Sequence, residues 1–249
     1  MTMGDLVGDL VHAKKTQAAL DALAEAFRRY LRIQVEGLEH VPHAGGAIII
    51  PNHSGYLALD AIMIAHLIHH DRGRTAKILS HRAFFEWFTA LRHLSQTFGL
   101  EEVSVPHGAE LMQSDELVLL FPEGESGNFK PTTKRYHLQK FHTGFLRMAL
   151  LSRRPIVPCI VIGAEETHIN FGNVDMSFLL RGLRLPLPGN LFPLPAKWKI
   201  KFLPPVDLSH LDSEVANDRS RLCKLAGDFQ DRMQRELNTE LGRRHSIFF

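Results

Sequence analysis

The chain is 249 residues long and 45% hydrophobic, with 29 Lys and Arg against 27 Asp and Glu and a formal net charge of +2. That is enough apolar material for one substantial core. A charge so near neutral, with scattered cations and no aromatic-basic pattern, gives no ground for nucleic acid as a partner. No stretch approaches the roughly 20 apolar residues of a membrane span, and residues 1–10 hold two aspartates and no apolar run, so no signal peptide is expected. The two cysteines, Cys159 and Cys223, lie far apart, and Cys159 sits in an apolar run, so a reducing compartment without a disulfide is expected.

In chain order, residues 5–34 predict a helix, with Leu20, Leu23, Phe27, Tyr30 and Leu31 recurring at three- and four-residue steps. Gly37 to Gly46, with Pro42, breaks the pattern. A strand over 47–50 then empties into Pro51-Asn52-His53, and a helix starts at Asp60 with Ala61, Ile62, Ile64, Ala65, Leu67 and Ile68. Lys77 to Leu79 predicts a short strand. Phe84, Phe85, Trp87, Phe88, Leu91 and Leu94 predict an aromatic helix that is either core or the wall of a lipid-chain pocket. Another short strand falls within Phe98 to Pro106, and a helix follows Pro106.

Glu116 to Phe121 predicts a strand buried on both faces. It ends in the polar turn Pro122-Glu123-Gly124-Glu125-Ser126-Gly127, followed by a basic loop with Lys130, Lys134, Arg135 and Lys140. Phe141, Phe145, Met148, Ala149 and Ser152 give the next helix its face. The run Ile156 to Ile162 is a further strand, in which Pro158 implies an edge or bulge position. Residues 171–196 combine Phe178, Leu179, Leu180 and Leu183 with four prolines, which predicts that no regular structure persists there. So apolar a loop requires cover by protein, ligand or lipid. A strand over Trp198 to Leu203 and a charged helix over Ser213 to Leu241 close the chain.

Strands separated by helices imply an α/β fold: a largely parallel sheet with helices on both faces, an N-terminal helix and a long C-terminal one. A single domain is expected over residues 1–249, divided into a helical segment (1–35), an α/β core (36–205) and the closing helix (206–249). Three strands end in polar turns, at His53, Glu123 and Glu165. In a parallel sheet those ends share one edge, where ligands of such folds bind. That edge gathers a histidine, several carboxylates and a glycine turn. His66, His69 and His70 lie at helical spacing, but no H-E-x-x-H or paired C-x-x-C pattern occurs, so no metal is expected.

Asn52-His53 with an aspartate downstream, Phe121-Pro122-Glu123-Gly124 at a strand end, and Ile156-Val157-Pro158 on the next strand together resemble the glycerolipid acyltransferase superfamily, which includes the lysophosphatidic acid acyltransferases. The resemblance covers roughly residues 35 to 205 in order. It implies transfer of a fatty acyl group from a thioester, acyl-CoA or acyl carrier protein, to a hydroxyl of a glycerolipid or lysophospholipid. It implies no cofactor beyond these substrates, and a cytoplasmic protein held peripherally on a membrane.

Carried onto this sequence, the resemblance makes His53 the general base and Asp60 its orienting acid. The family places four residues between the two; here six intervene, and Ala58 stands at the family's aspartate position. Glu123 and Gly124, with Lys130 and Arg135, would bind the acceptor, and Ile156, Val157 and Pro158 would line the acyl side. Where the family carries an arginine for a substrate phosphate, Glu101 and Glu102 stand. Either the basic loop substitutes or the acceptor has no phosphate there. Taken singly, Asp60 also reads as a helix cap, Glu123 as a turn acid and the basic loop as a solvated face. An acyl ester or thioester hydrolase and a non-catalytic lipid binder are the competing functions. No G-x-S-x-G elbow supports a serine hydrolase. Phe178, Leu179, Leu180 and Leu183 are the candidates for membrane contact.

Overall fold

The structure is a computed structural model and describes residues 18–53, 58–80, 99–128, 130–175 and 184–248. Its strands are β1 (Gln34–Glu36), β2 (Ala47–Pro51), β3 (Ala76–Ser80), β4 (Leu100–Glu102), β5 (Leu117–Leu119), β6 (Ile156–Ile162), β7 (Asn170–Asp175), β8 (Arg184–Pro188) and β9 (Lys199–Phe202). Seven of them form one sheet in the order β1-β9-β6-β2-β5-β3-β4, and β7 pairs with β8. All neighbours in the large sheet are parallel except β6 and β9. The main helices are α1 (18–30), α2 (Leu59–Arg72), α3 (Val105–Gln113), α4 (Gly144–Ser152) and α5 (Arg219–Gly242).

The central strands are buried along their whole length, so their sequences are continuous apolar runs rather than alternating ones. Successive side chains still point to opposite faces. Ile48, Ile50, Val118 and Ile160 meet α3, α4 and α5 through Met112, Phe145, Met148 and Phe229. Ile49, Leu119, Val157 and Val161 meet α2 through Met63, Ile64 and Leu67, with Trp198 beside them. The helix starts are read from their caps. Ser104 accepts a hydrogen bond from the His107 N–H ahead of α3, and Asp218 accepts from Ser220 and Arg221 ahead of α5. That cap delays α5 to Arg219, with a separate turn over Ser213–Asn217.

Two expectations are corrected. The proline-rich segment holds regular structure, because β7 and β8 form an antiparallel ribbon pairing Asn173 with Pro186 and Asp175 with Arg184. In a two-stranded ribbon each strand has one unpaired edge. The Gly189 N–H donates to Ile169 O at 2.7 Å, so Pro188 and Pro186, at alternating positions, turn their nitrogens away from the partner and no ladder bond is lost. Pro158 lies in an interior strand, between β2 and β9, rather than at an edge. Its carbonyl accepts from Leu203 N at 2.8 Å just beyond the end of β9, where a missing reciprocal donor is tolerated. The aromatic stretch from Phe84 to Leu94 and residues 1–17 of the predicted first helix lie outside the described residues.

The closing helix is tied to the sheet by a buried carboxylate. Glu240 accepts from Lys199 Nζ at 2.6 Å and from Lys201 Nζ at 2.8 Å, with its side chain 1% exposed. Burial alone would raise its pKa; the two ammonium groups outweigh that and bring it down to about 2. A carboxylate with a lowered folded pKa stabilises the fold above its unfolded value and loses that contribution as pH falls through the folded one. Glu240→Gln is therefore expected to lower unfolding free energy at pH 7 by about 1–3 kcal/mol. In urea titrations the gap from wild type should narrow as pH drops from 4.5 toward 2.

Candidate active site

The ends of β5, β2 and β6, which are adjacent in the sheet, bring three polar turns together. The shared edge inferred from the sequence is present. Asn52, fully buried, extends the pairing of β2 with β6 by one step through its side chain: its Nδ2 donates to Val161 O at 3.0 Å and its Oδ1 accepts from Val161 N at 2.7 Å. An amide is the one side chain that copies both halves of a peptide unit. The next residue, His53, is thereby set just past the last paired position of the central strand.

His53 Nδ1 lies 2.8 Å from Asp60 Oδ2, and the Asp60 carboxylate is fully buried in the first turn of α2. The other oxygen, Oδ1, accepts the Ala61 N–H at 2.8 Å. Asp60 thus orients the imidazole and serves the helix start together. The cap position itself belongs to Ala58, held at φ +57°, a left-handed conformation that L-residues seldom adopt. The six-residue interval is thereby accommodated. The imidazole stacks on Phe121 with ring centroids 4.1 Å apart and remains 13% exposed. With an ionised carboxylate on Nδ1, that nitrogen carries the proton and Nε2 presents its lone pair. Among the described residues Nε2 takes no hydrogen bond.

Glu123 has no exposed surface. Its Oε1 accepts the His53 backbone N–H at 2.9 Å; its Oε2 accepts the Gln139 N–H at 2.6 Å and faces Lys130 Nζ at 3.4 Å. Lys130 Nζ in turn lies 3.0 Å from Glu165 Oε1, and Glu165 Oε2 accepts the Tyr136 N–H at 2.7 Å. One buried ammonium therefore joins the turn after β5 to the turn after β6. Burial pushes the Glu165 carboxyl above its usual range, and the Lys130 charge only partly offsets this. Gly124 adopts φ +56°, and a Cβ on Gly127 would fall 2.5 Å from Glu123 Cβ and 3.1 Å from His53 Cβ. The turn can fold over the histidine only with glycine there.

Several expected site residues sit elsewhere. Both oxygens of Glu123 are taken by protein donors, so its carboxylate does not face an acceptor. Lys130 is buried and paired with two acids. Arg135 lines a separate cavity of about 250 Å³ with Tyr136, Glu166, Arg244 and the tail residues 245–247. Ile156 and Val157 have no exposed surface and belong to opposite core layers, and Pro158 is buried beside them. They form the floor of the sheet rather than a crevice wall. Phe178, Leu179, Leu180 and Leu183 lie outside the described residues. Asn52, Phe121 and Gln139 were not anticipated. Of these, Asn52 left a signal, a lone amide closing a buried apolar run.

Residues 32–162 match the sequence pattern of the family described as acyltransferase. Uncharacterised proteins of Mycobacterium tuberculosis and Mycobacterium bovis are each 32% identical over 235 residues, covering 90% of this chain and 65% of the relative. One of Mycobacterium leprae is 30% identical, covering 90% and 64%. The chain thus spans a little under two thirds of the length of these relatives. Among solved structures, the 1-acyl-sn-glycerophosphate (LPA) acyltransferase PlsC of Thermotoga maritima superposes with a TM-score of 0.59 at 18% identity, over 90% of this chain and 81% of that one. That likeness shows a shared fold. The chain belongs to the acyltransferase family.

Proposed function

We propose that this chain transfers a fatty acyl group from an acyl thioester to a hydroxyl of a glycerolipid or lysophospholipid, with His53 as general base. The observation that carries the reading is the 2.8 Å contact between His53 Nδ1 and a fully buried Asp60, which leaves Nε2 as the basic nitrogen. In the proposed step Nε2 removes the proton of the acceptor hydroxyl as its oxygen attacks the thioester carbonyl. The tetrahedral intermediate collapses, the C–S bond breaks, and the thiolate takes the proton back from the imidazolium. Asp60 stabilises that imidazolium and fixes the tautomer. Family membership and the glycerolipid-type title of the structural neighbour support the donor and acceptor classes.

The oxyanion needs N–H donors. The N–H groups of His53, Gly124 and Gly127 are already given to Glu123 Oε1, Phe121 O and Gly124 O. We assign the role to Glu125 and Ser126, which open the single helical turn Glu125–Asn128. Glu123 acts as a positioning residue, since it holds the His53 backbone rather than a substrate. Lys130 and Glu165 act one step further back, by keeping Glu123 in place.

Purified protein given labelled acyl-CoA and a panel of lyso- and neutral glycerolipids should form acylated product faster than free fatty acid. Equal release of free acid with and without acceptor would contradict transfer. His53→Ala should lower the rate about 10²–10⁴-fold with the thermal unfolding midpoint little changed. Asp60→Asn should fall in a similar range, because an amide favours the wrong tautomer.

Lys130→Met leaves two buried carboxylates without their cation. It is expected to lower unfolding free energy by about 3–5 kcal/mol at pH 8. Glu165 has a raised pKa, so its burden is absent below the unfolded value and grows as pH rises through the folded one. The Lys130→Met penalty should therefore be smaller at pH 5 than at pH 8 in urea titrations.

A further inference from the structure

The hairpin of β7 and β8, with the loop after it, carries an unusual amount of exposed apolar surface. Phe171 is 75% exposed, Leu191 80%, Phe192 69% and Leu187 48%. These side chains are held by ordered contacts. A Cβ on Gly189 would lie 2.9 Å from the Phe171 ring, which places that ring across the base of the hairpin. Asn190 Nδ2 donates to Phe192 O at 2.7 Å and to Thr167 O at 3.1 Å. Tyr30 of α1 packs edge-on against Phe192, with ring centroids 5.8 Å apart, and its hydroxyl donates to Pro193 O at 2.8 Å.

The hairpin is rooted on the catalytic rim. It leaves β6 at the edge that holds His53, and its first residue is bonded to the loop that supplies Lys130. Asn170 N donates to Thr132 Oγ1 at 2.7 Å and Asn170 Nδ2 to Lys130 O at 2.9 Å. The same loop exposes Lys134 and Arg135. Over residues 130–137, 165–172 and 187–197 the acids are Glu165 and Glu166, and both are engaged by cations, at Lys130 and Arg244. The charge presented around the apolar side chains is therefore positive.

We propose that this surface docks on an anionic lipid bilayer, with Phe171, Leu191 and Phe192 entering the interface and Lys134 and Arg135 meeting lipid phosphates. A bilayer fits the observations better than a folded partner. The apolar groups project from a prominent ribbon instead of lining a shaped groove. Cations beside aromatic and leucine side chains match the two components of an interfacial anchor, apolar burial and attraction to anionic headgroups. The placement also deepens the proposed function, because a lipid acceptor entering from the bilayer meets the His53 rim first. The proposal rests on that reading only for its purpose; the docking is measurable without any acyl transfer.

The test is co-sedimentation of the full chain with vesicles of neutral phosphatidylcholine and with vesicles containing anionic phosphatidylglycerol, in the absence of acyl donor. Wild type should bind the anionic vesicles more tightly, and added salt should weaken that binding. The double substitution Leu191→Ser with Phe192→Ser should reduce partitioning at least about tenfold while leaving the thermal unfolding midpoint unchanged, since both side chains are exposed. Lys134→Ser with Arg135→Ser should abolish the preference for anionic vesicles. Undiminished binding by the Leu191/Phe192 variant overturns the proposal, as does failure of wild type to bind either vesicle. A change of oligomeric state in that variant, read by light scattering, would assign the surface to a protein interface and also overturn it. Loss of acyl transfer in a variant that still binds vesicles bears on the catalytic reading alone.

Discussion

A carboxylate sealed from water governs the arrangement of the catalytic rim. Glu123 has no exposed surface, and an uncompensated buried ion costs several kcal/mol. Two backbone N–H groups and one ammonium offset that cost, and each comes from a different part of the chain: His53 after β2, Gln139 in the loop before α4, and Lys130 in the basic loop. Lys130 is itself buried and requires Glu165 after β6. The result is a closed set of charges in which moving any one strand end strips a buried group of its partner. That requirement, more than any single contact, fixes where the His53 backbone lies.

Below this polar set the sheet is wholly apolar, and above it the imidazole is left with one nitrogen uncommitted. The division follows from the strands. Ile48 to Ile50, Leu117 to Leu119 and Ile156 to Ile162 are buried on both faces, so polar residues can gather only where the runs end. Asn52 is the transition between the two regimes. It behaves as backbone toward Val161, yet it delivers the chain to a histidine whose ring is stacked on Phe121 and bonded to Asp60. A general base needs a fixed ring and a free lone pair, and these contacts supply both.

The legible parts of the sequence were those with strong local physics. Buried parallel strands read as β-branched runs, and the helix after His53 read from its apolar spacing. The convergence of His53, Glu123 and Glu165 followed from strand direction alone. What stayed hidden depended on partners distant in sequence. Lys130 reads as one cation in a solvated loop until Glu123 and Glu165, seven and 35 residues away, are seen to enclose it. Glu123 gave no local sign that its carboxylate turns inward. The prolines of β8 argued against a strand, because a sequence does not show that a ribbon leaves one edge of each strand unpaired. Pro158 misled for the mirror-image reason: its missing donor falls just beyond the point where the neighbouring strand stops.

The central claim is that Asp60 holds the neutral His53 ring with its proton on Nδ1 and its lone pair on Nε2. Nitrogen-15 and proton NMR of histidine-labelled protein, at a pH where the ring is neutral, reads this directly once the His53 resonances are assigned. The account predicts a protonated Nδ1 coupled to a downfield, slowly exchanging proton, and a bare Nε2. A ring protonated on Nε2, or one exchanging freely between tautomers, would contradict it.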